Sequence, residues 1–150
     1  MRQAIQFVMG LFLTAITTVA LALNPADENI MKKSDQWAQA IAGRDANKIV
    51  ALYDKDALLY ATFANYIDTQ VGLLNYFKKL TKHKDLKVTF SKQNIRVFGD
   101  VALNSGLYEF TYTENGKAVR VPGRFTFVYR DTPAGWIIID HHSSVMPENN

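Results

Sequence analysis

The sequence predicts an α+β domain in which helices come first and a mainly antiparallel sheet follows. Two observations support this prediction. Apolar residues recur at the spacing of a helical stripe in the first half of the 150-residue chain, and after Lys87 they alternate with polar residues. Asn115-Gly116 then separates two alternating segments, and both residue types tolerate the positive φ angles of a type I′ hairpin turn. Helices followed by strands are typical of an α+β domain with the helices packed on the sheet.

Three helices are expected in the first half of the chain. The first spans residues 28–42, where one apolar stripe recurs at helical spacing and Gly43 follows as a stop. Asp45 and Thr69 are residue types that cap helix N-termini, so each is expected to begin a further helix. The three apolar stripes are Ile30, Trp37 and Ile41; Ile49, Leu52 and Tyr53; and Leu73, Tyr76, Phe77 and Leu80.

Five strands are expected to form a curved sheet. A short strand at residues 58–62 precedes the third helix, and the later strands are residues 88–98, 101–113 and 118–130 and the segment from Gly135. Pro122-Gly123 interrupts one of these strands. Because proline cannot donate a hydrogen bond to a neighbouring strand, this pair indicates a bulge or a sheet edge.

The N-terminal 22 residues have the pattern of a secretory signal peptide. Arg2 supplies a positive start, residues 7–22 carry no charge, and Ala20 and Ala22 form a small-x-small cleavage pattern. The apolar run is shorter than the roughly 20 residues that span a bilayer. The sequence therefore predicts a signal peptide at 1–22, a single domain at 23–150, and a secreted or periplasmic protein without a stable membrane anchor. An uncleaved N-terminal anchor is the alternative.

The composition excludes several kinds of site and partner. The chain has no cysteine, which excludes disulfides, thiolate zinc sites and a cysteine nucleophile. Its formal net charge of +3 is too small to indicate a nucleic-acid surface, so no nucleic-acid partner is expected. It contains no Gly-rich loop and no kinase catalytic motif, and no cofactor is expected.

The last strand ends in a polar stretch with two adjacent histidines. Alternation along a strand places His141 on an apolar face with Ile139, and His142 on the opposite face with Asp140 and Ser144. The two histidines therefore point apart and cannot chelate one metal ion, so no metal site is expected. Neighbours at i and i+2 lie about 6.6 Å apart along a strand. This spacing is too wide for the hydrogen bonds of a hydrolase triad.

Strand register predicts that one face of the sheet is polar. If residues 131–135 form the last turn, Arg124 lies opposite His142 and Thr126 opposite Asp140. The Asn115-Gly116 turn places Ser105 beside Thr126 and Leu107 beside Arg124. The polar face then gathers Ser105, Arg124, Thr126, Asp140 and His142, whereas the reverse face is rich in Phe, Tyr and Ile.

A charged cluster on a half-buried sheet indicates a binding site. Burying such charges costs several kcal/mol unless they are paired or bind a charged group. We therefore interpret the polar face as a pocket floor beneath the helices, with Arg124 as an anchor for an anionic ligand. The alternative interpretation is that this face simply meets water, as polar faces of antiparallel sheets commonly do.

Several motifs resemble one known superfamily. The segment GRFTFVYRDTPAGWIIIDHHSS contains an R-x-T strand, a turn, a G-x-W and a strand ending in H-x-S. This pattern resembles the SnoaL-like division of the nuclear transport factor 2-like superfamily, and bacterial proteins similar to the calcium/calmodulin-dependent protein kinase II association domain in particular. WAQAIAGRDANKIVALYDKDALLYAT and GLLNYFKKL look like the same family, so the resemblance covers residues 28–147.

The resemblance implies a cone-shaped fold whose curved sheet and helices enclose a pocket. It also implies dimers formed through the sheets. The R-x-T and H-x-S elements fall on Arg124, Thr126, His142 and Ser144. The superfamily includes polyketide cyclases, ketosteroid isomerase relatives, small-ligand binders and oligomerisation modules, so the fold alone does not select a function.

Three functional hypotheses follow. The leading one is an exported homodimeric protein that binds a small, anionic organic ligand without catalysis. The second is a cyclase or isomerase in which Asp140 or His142 acts as general base. In the third, the protein is an oligomerisation module whose aromatic face forms the interface. The expected pocket residues are Arg124, Thr126, Asp140, His142, Ser144, Tyr53 and Tyr60; further tyrosines at 76 and 108 are available to an enzyme.

Overall fold

A computed structural model describes residues 24–62 and 64–147 of the chain. The predicted signal peptide at residues 1–22 lies outside the described residues. None of the helices in the described part of the chain is long and apolar enough to cross a membrane.

Within the described residues, three helices and five strands form an α+β domain, which confirms the predicted fold class. The sheet has the strand order β1-β5-β4-β3-β2, and only the β1–β5 pair is parallel. In chain order the elements are α1 (Pro25–Ala42), α2 (Ala46–Val50), β1 (Tyr53–Tyr60), α3 (Gln70–Leu80), β2 (Lys84–Phe98), β3 (Val101–Glu114), β4 (Lys117–Arg130) and β5 (Ile137–Val145).

Polar caps begin all three helices. Asp45 accepts hydrogen bonds from two backbone N–H groups of α2, and the Thr69 hydroxyl accepts one from Gly72 in α3, as predicted. The first helix begins three residues earlier than expected. Its cap is Asn24, whose side chain accepts from the Ala26 N–H, and a proline occupies the first helical position.

The β3–β4 register agrees with the prediction. Asn115 and Gly116 have φ angles of 50° and 76°, and Ser105 pairs with Thr126 as Leu107 pairs with Arg124. Pairing with β3 continues without a shift through Pro122, so the alternative of a bulge there is wrong. The sheet edge accounts for the proline instead, since the last β4–β5 pair is the neighbouring Gly123–Val145.

The predicted β4–β5 register is wrong. Arg124 pairs with Ser144 rather than His142, and Thr126 pairs with His142 rather than Asp140. Two extra residues cause the slip. The turn before β5 extends through Trp136, and the register shifts at Ile139, because Tyr129 pairs with Ile138 whereas Val128 pairs with Asp140. A slip of two residues leaves each later side chain on its expected face.

The bulge does change which isoleucine enters the core. Ile138, not Ile139, shares the buried face with His141, and Ile138 is 1% exposed. A bulge adds one residue to one strand, so the alternation of side chains resumes with the opposite phase on the other side of it.

The helices cover the aromatic face of the sheet. Trp37 of α1 packs against Phe127 with ring centroids 5.3 Å apart, and Phe127 is 0% exposed. We call this covered side the inner face. Because neighbours on a strand alternate, Arg124 and Thr126 lie on the opposite, outer face. The predicted pocket floor beneath the helices is therefore wrong for the polar residues, and the aromatic face is not available as an intermolecular interface.

Candidate ligand-binding cavity

A cavity opens between α3 and the inner face of the sheet. Its volume is about 170 Å³, and the strands β3, β4 and β5 all contribute to its wall. Four aromatic side chains line it, namely Tyr76, Tyr108, Phe110 and Tyr112. The aliphatic lining is Leu80, Val121, Pro122 and Val145. The cavity therefore presents a mainly apolar surface, which is typical of sites for small organic molecules.

Three linked hydroxyl groups form a polar patch in the wall of the cavity. The Tyr108 hydroxyl contacts Ser143 Oγ, and Ser143 Oγ lies 3.0 Å from Thr62 Oγ1. Burial raises the pKa of Tyr108, so its hydroxyl stays protonated at neutral pH. The group thus consists of neutral donors and acceptors that can bind a polar atom of a ligand.

The deeper part of the inner face holds a second polar group around His141. This histidine is 3% exposed, and its Nδ1 lies 2.8 Å from the Tyr53 hydroxyl. Burial lowers the pKa of His141 to about 3, so the ring is neutral at physiological pH. Tyr53, a predicted pocket residue, therefore lies in the core beside His141, and it is absent from the cavity wall.

The other predicted site residues lie on the outer face or at its rim, and Ser144 also contributes to the wall of the inner cavity. Tyr60, Arg124, His142 and Ser144 together line an open depression of about 440 Å³. Arg124 Nε donates to Ser144 Oγ at 3.3 Å, and the Tyr60 ring packs edge-on to His142 with centroids 6.4 Å apart. The structure thus brings four of the seven predicted pocket residues together, but on the side of the sheet away from the helices.

Thr126 and Asp140 also belong to the outer face. Thr126 pairs with His142, and Asp140 pairs with Val128 on β4. Partial burial raises the pKa of Asp140, and the nearby His142 acts against this rise. Neither Thr126 nor Asp140 lines the inner cavity. The two predicted general bases, Asp140 and His142, therefore lie on the opposite side of the sheet from it.

Sequence reasoning missed most of the inner cavity. Ser143 and Thr62 are not among the predicted pocket residues, and Tyr76 and Tyr108 are included only under the enzyme hypothesis. A usable signal was present in the alternation of β5, because Ser143 shares a face with His141 and that face was expected to be apolar. A hydroxyl on an apolar face requires a polar partner or a ligand.

The described residues do not suggest a metal centre. Within residues 24–62 and 64–147, no three His, Asp or Glu side chains are placed to hold one ion. The two buried polar groups are instead built from neutral side chains.

Comparison with known proteins identifies the family. A family model for the calcium/calmodulin dependent protein kinase II association domain matches residues 26–147. The chain belongs to this association domain family. The crystal structure of a Xanthomonas campestris protein assigned to the family has a TM-score of 0.79 and 31% identity, covering 92% of this chain and 100% of that one. Comparison with curated proteins gives no match.

More distant structures show that the fold is the nuclear transport factor 2-like cone. A Novosphingobium aromaticivorans protein of this type with a cystatin-like fold has a TM-score of 0.72 and 14% identity, covering 82% of this chain and 83% of that one. A ketosteroid isomerase-like protein from Erwinia carotovora atroseptica has a TM-score of 0.70 and 16% identity, covering 83% and 99%. The predicted family and fold are confirmed.

Proposed function

We propose that this association domain binds a small organic molecule in the inner cavity. The observation that supports the proposal is that four aromatic side chains and a group of three hydroxyls line the same cavity. Apolar walls provide affinity through burial of ligand surface, and a few convergent polar groups fix the orientation of the ligand.

Binding without catalysis is favoured over an isomerase or cyclase. The candidate bases Asp140 and His142 lie on the outer face, and His141 is buried with a pKa of about 3. A general base must reach the proton that it abstracts. Among the described residues that line the cavity, His83 is the only ionisable side chain besides the tyrosines. The ligand site therefore contains few side chains that could act as a general acid or base.

Nuclear magnetic resonance can test where ligands bind. Fragments that bind are expected to shift the backbone amide signals of Tyr108 and Ser143 on the inner face, while Arg124 and His142 remain unchanged. Val121→Phe, which fills the cavity, should abolish these shifts. Shifts confined to the outer residues, or no shift with any fragment, would contradict the proposal.

We further propose that the chain forms a homodimer through the outer face. The helices leave this face of β4 and β5 uncovered, and it holds both donors and acceptors, such as Arg124, Asp140 and His142. An isologous interface needs a surface that is complementary to itself, and mixed charges meet this need. The association domain family to which the chain belongs is consistent with an assembly role.

Light scattering after gel filtration tests the dimer. The wild-type chain is expected at twice the monomer mass, and Thr126→Lys, at the centre of the proposed interface, should give monomers. Gln36→Lys on the exposed side of α1 is a matched control that should stay dimeric. A monomeric wild type at micromolar concentration would contradict this part of the proposal.

Export also remains part of the proposed function. The uncharged run and small-x-small pattern of residues 7–22 support it. N-terminal sequencing of protein recovered from the periplasm is expected to begin at Leu23. Full-length protein retained in the membrane fraction would instead support the uncleaved anchor.

A further inference from the structure

We infer that the ligand of the inner cavity is an uncharged compound of one ring bearing a single carbonyl or hydroxyl group. This inference rests on the function proposed above and concerns the chemical class of the ligand. Three properties of the cavity lead to it: its size, the charge of its lining, and the number of hydrogen bonds that its hydroxyls leave free.

The size of the cavity limits the ligand to one ring. Its volume of about 170 Å³ is close to that of the engineered apolar cavity of about 150 Å³ that binds benzene. A fused or linked second ring would not fit within this volume. Tyr108 is 3% exposed and packs against Phe110 and Phe125 with ring centroids 5.1 and 5.2 Å apart, so this wall has little freedom to yield.

The charge of the lining excludes an ion. Among the described residues that line the cavity there is no Asp, Glu, Lys or Arg. Arg124, which was expected to anchor an anion, lies on the outer face with Ser144. A carboxylate in the inner cavity would lose its hydration without meeting a permanently charged side chain, since His83, stacked on Tyr112 with ring centroids 4.2 Å apart, is the only ionisable group besides the tyrosines among the described lining residues. This desolvation is costly. The proposed ligand is therefore neutral, in contrast to the anionic ligand expected from the sequence.

The group of three linked hydroxyls can form a hydrogen bond with one polar atom of the ligand. Three hydroxyls, those of Tyr108, Ser143 and Thr62, share two mutual contacts. Each hydroxyl carries one proton, so two protons are used within the group and one is left to donate. A carbonyl oxygen can accept this proton, and a ligand hydroxyl can both accept it and donate to a free lone pair.

The aromatic walls favour a flat ring beside this polar anchor. Tyr76 of α3 and Tyr112 of β3 line the same cavity as Tyr108. Aromatic pairs in stacked or edge-to-face contact add roughly 0.5–1.5 kcal/mol beyond the burial of area. A phenol or an aryl ketone can both pack against the aromatic side chains and form a hydrogen bond with the group of three hydroxyls.

Isothermal titration calorimetry on the purified chain at pH 7.5 tests this class with five probes. The expected ligands are 4-methylphenol and acetophenone. Toluene lacks the polar atom and is expected to bind about tenfold more weakly, the effect of one good hydrogen bond. Benzoate carries a charge and 4-phenylphenol a second ring, and neither is expected to bind.

Two serine variants test the anchor. Ser143→Ala should weaken 4-methylphenol about tenfold, to the affinity of toluene, and leave toluene unchanged. Ser105→Ala is the matched control, because this residue lies opposite Thr126 on the outer face and does not line the cavity, and it should bind like the wild type. An equal loss of affinity for 4-methylphenol in both variants, or no loss in Ser143→Ala, would show that the group of three hydroxyls does not anchor the ligand.

A variant with a filled cavity separates failure of the ligand class from failure of the proposed function. Val121→Phe, or Leu80→Phe if the first does not fold by circular dichroism, should abolish binding of both expected ligands. If benzoate or 4-phenylphenol binds and the filled variant removes that binding, the cavity is a ligand site but this class is wrong. If no probe binds, or if filling the cavity has no effect, both proposals fail.

Discussion

The Tyr53 hydroxyl lies 3.0 Å from Nε1 of Trp37 and 2.8 Å from Nδ1 of His141, so one oxygen joins α1 to β5. Because an indole nitrogen can only donate, Tyr53 accepts from Trp37. Among the described residues, His141 Nδ1 is the one acceptor within reach of the Tyr53 proton, so the arrangement that leaves this buried proton paired has Tyr53 donating to His141. The histidine proton is then on Nε2, which is buried without a partner among the described residues. The direction of these bonds fixes the neutral tautomer of His141.

Removing the Tyr53 hydroxyl is expected to destabilise the fold. Tyr53→Phe would leave two buried polar nitrogens, those of Trp37 and His141, without a partner, at a cost of about 1–3 kcal/mol each at most. Urea denaturation should show a lower free energy of unfolding with an unchanged slope. Tyr60→Phe is the control, since Tyr60 is 46% exposed and should change stability little. Equal stability of the Tyr53→Phe variant and the wild type would refute the role of this hydroxyl.

The buried histidine predicts a loss of stability in mild acid. The pKa of His141 is about 3 in the folded chain against an ordinary value of 6.5, so the unfolded chain binds more protons between these values. Stabilisation by neutral His141 is therefore complete above pH 6.5 and is lost as the pH falls toward 3. At about 1.4 kcal/mol per pH unit, roughly 2 kcal/mol is lost between pH 6.5 and 5.

Denaturation of His141→Gln at both pH values isolates this effect. The variant should lose the acid dependence that comes from His141, and His142→Gln, on the exposed outer face, should keep it. The raised pKa of Asp140 acts in the opposite direction, because the folded chain then binds its proton more tightly. This contribution is retained in His141→Gln, and His142→Gln increases it by removing the charge that acts against the rise. Identical pH dependence in His141→Gln and the wild type would contradict the prediction.

Gly106 of β3 is expected to tolerate no side chain. A Cβ atom there would lie 1.9 Å from the carbonyl oxygen of Lys92, because the register of β2 shifts between Phe90 and Lys92 and brings its backbone close. Gly106→Ala must therefore displace backbone, and we expect a loss of more than about 2 kcal/mol in thermal or urea unfolding. Ser105→Ala, one residue earlier, should change stability by less than about 1 kcal/mol.

The cap of α2 offers a smaller, separable effect. Asp45 Oδ1 accepts hydrogen bonds of 3.1 Å from the backbone N–H groups of both Asn47 and Lys48. Asp45→Ala is expected to cost about 1 kcal/mol in urea unfolding through loss of this cap. Lys48→Ala removes the exposed ion pair with Asp45 but keeps the cap, and it should cost much less. If the two variants lost equal stability, the ion pair and not the cap would be the cause.

Local signals explain which parts of the fold could be predicted. Asn115-Gly116 specifies its own turn, and every pairing between β3 and β4 then follows in sequence. Asp45 and Thr69 likewise mark helix starts through the hydrogen bonds that their side chains accept. These elements depend on residues only a few positions apart.

The β5 register had no such signal. Three consecutive isoleucines are equally apolar, so hydropathy does not reveal that the bulge lies at Ile139. The prediction that the helices cover the polar face of the sheet was a separate error. The face bearing Phe125, Phe127 and Tyr129 has far more apolar area to bury than the face bearing Arg124. Comparing the two faces by apolar area would have placed the helices on the aromatic side.

The position of β5 between β1 and β4 determines when the domain can become stable. Leu58 of β1 pairs with Asp140, although the whole of α3 and three strands separate them along the chain. Contacts so distant in sequence form late, because a long loop must close before they contribute. We expect a nascent chain emerging from the ribosome to keep β1 unpaired until residues 137–145 arrive. Folding would thus follow synthesis of the final strand rather than accompany the growth of the chain.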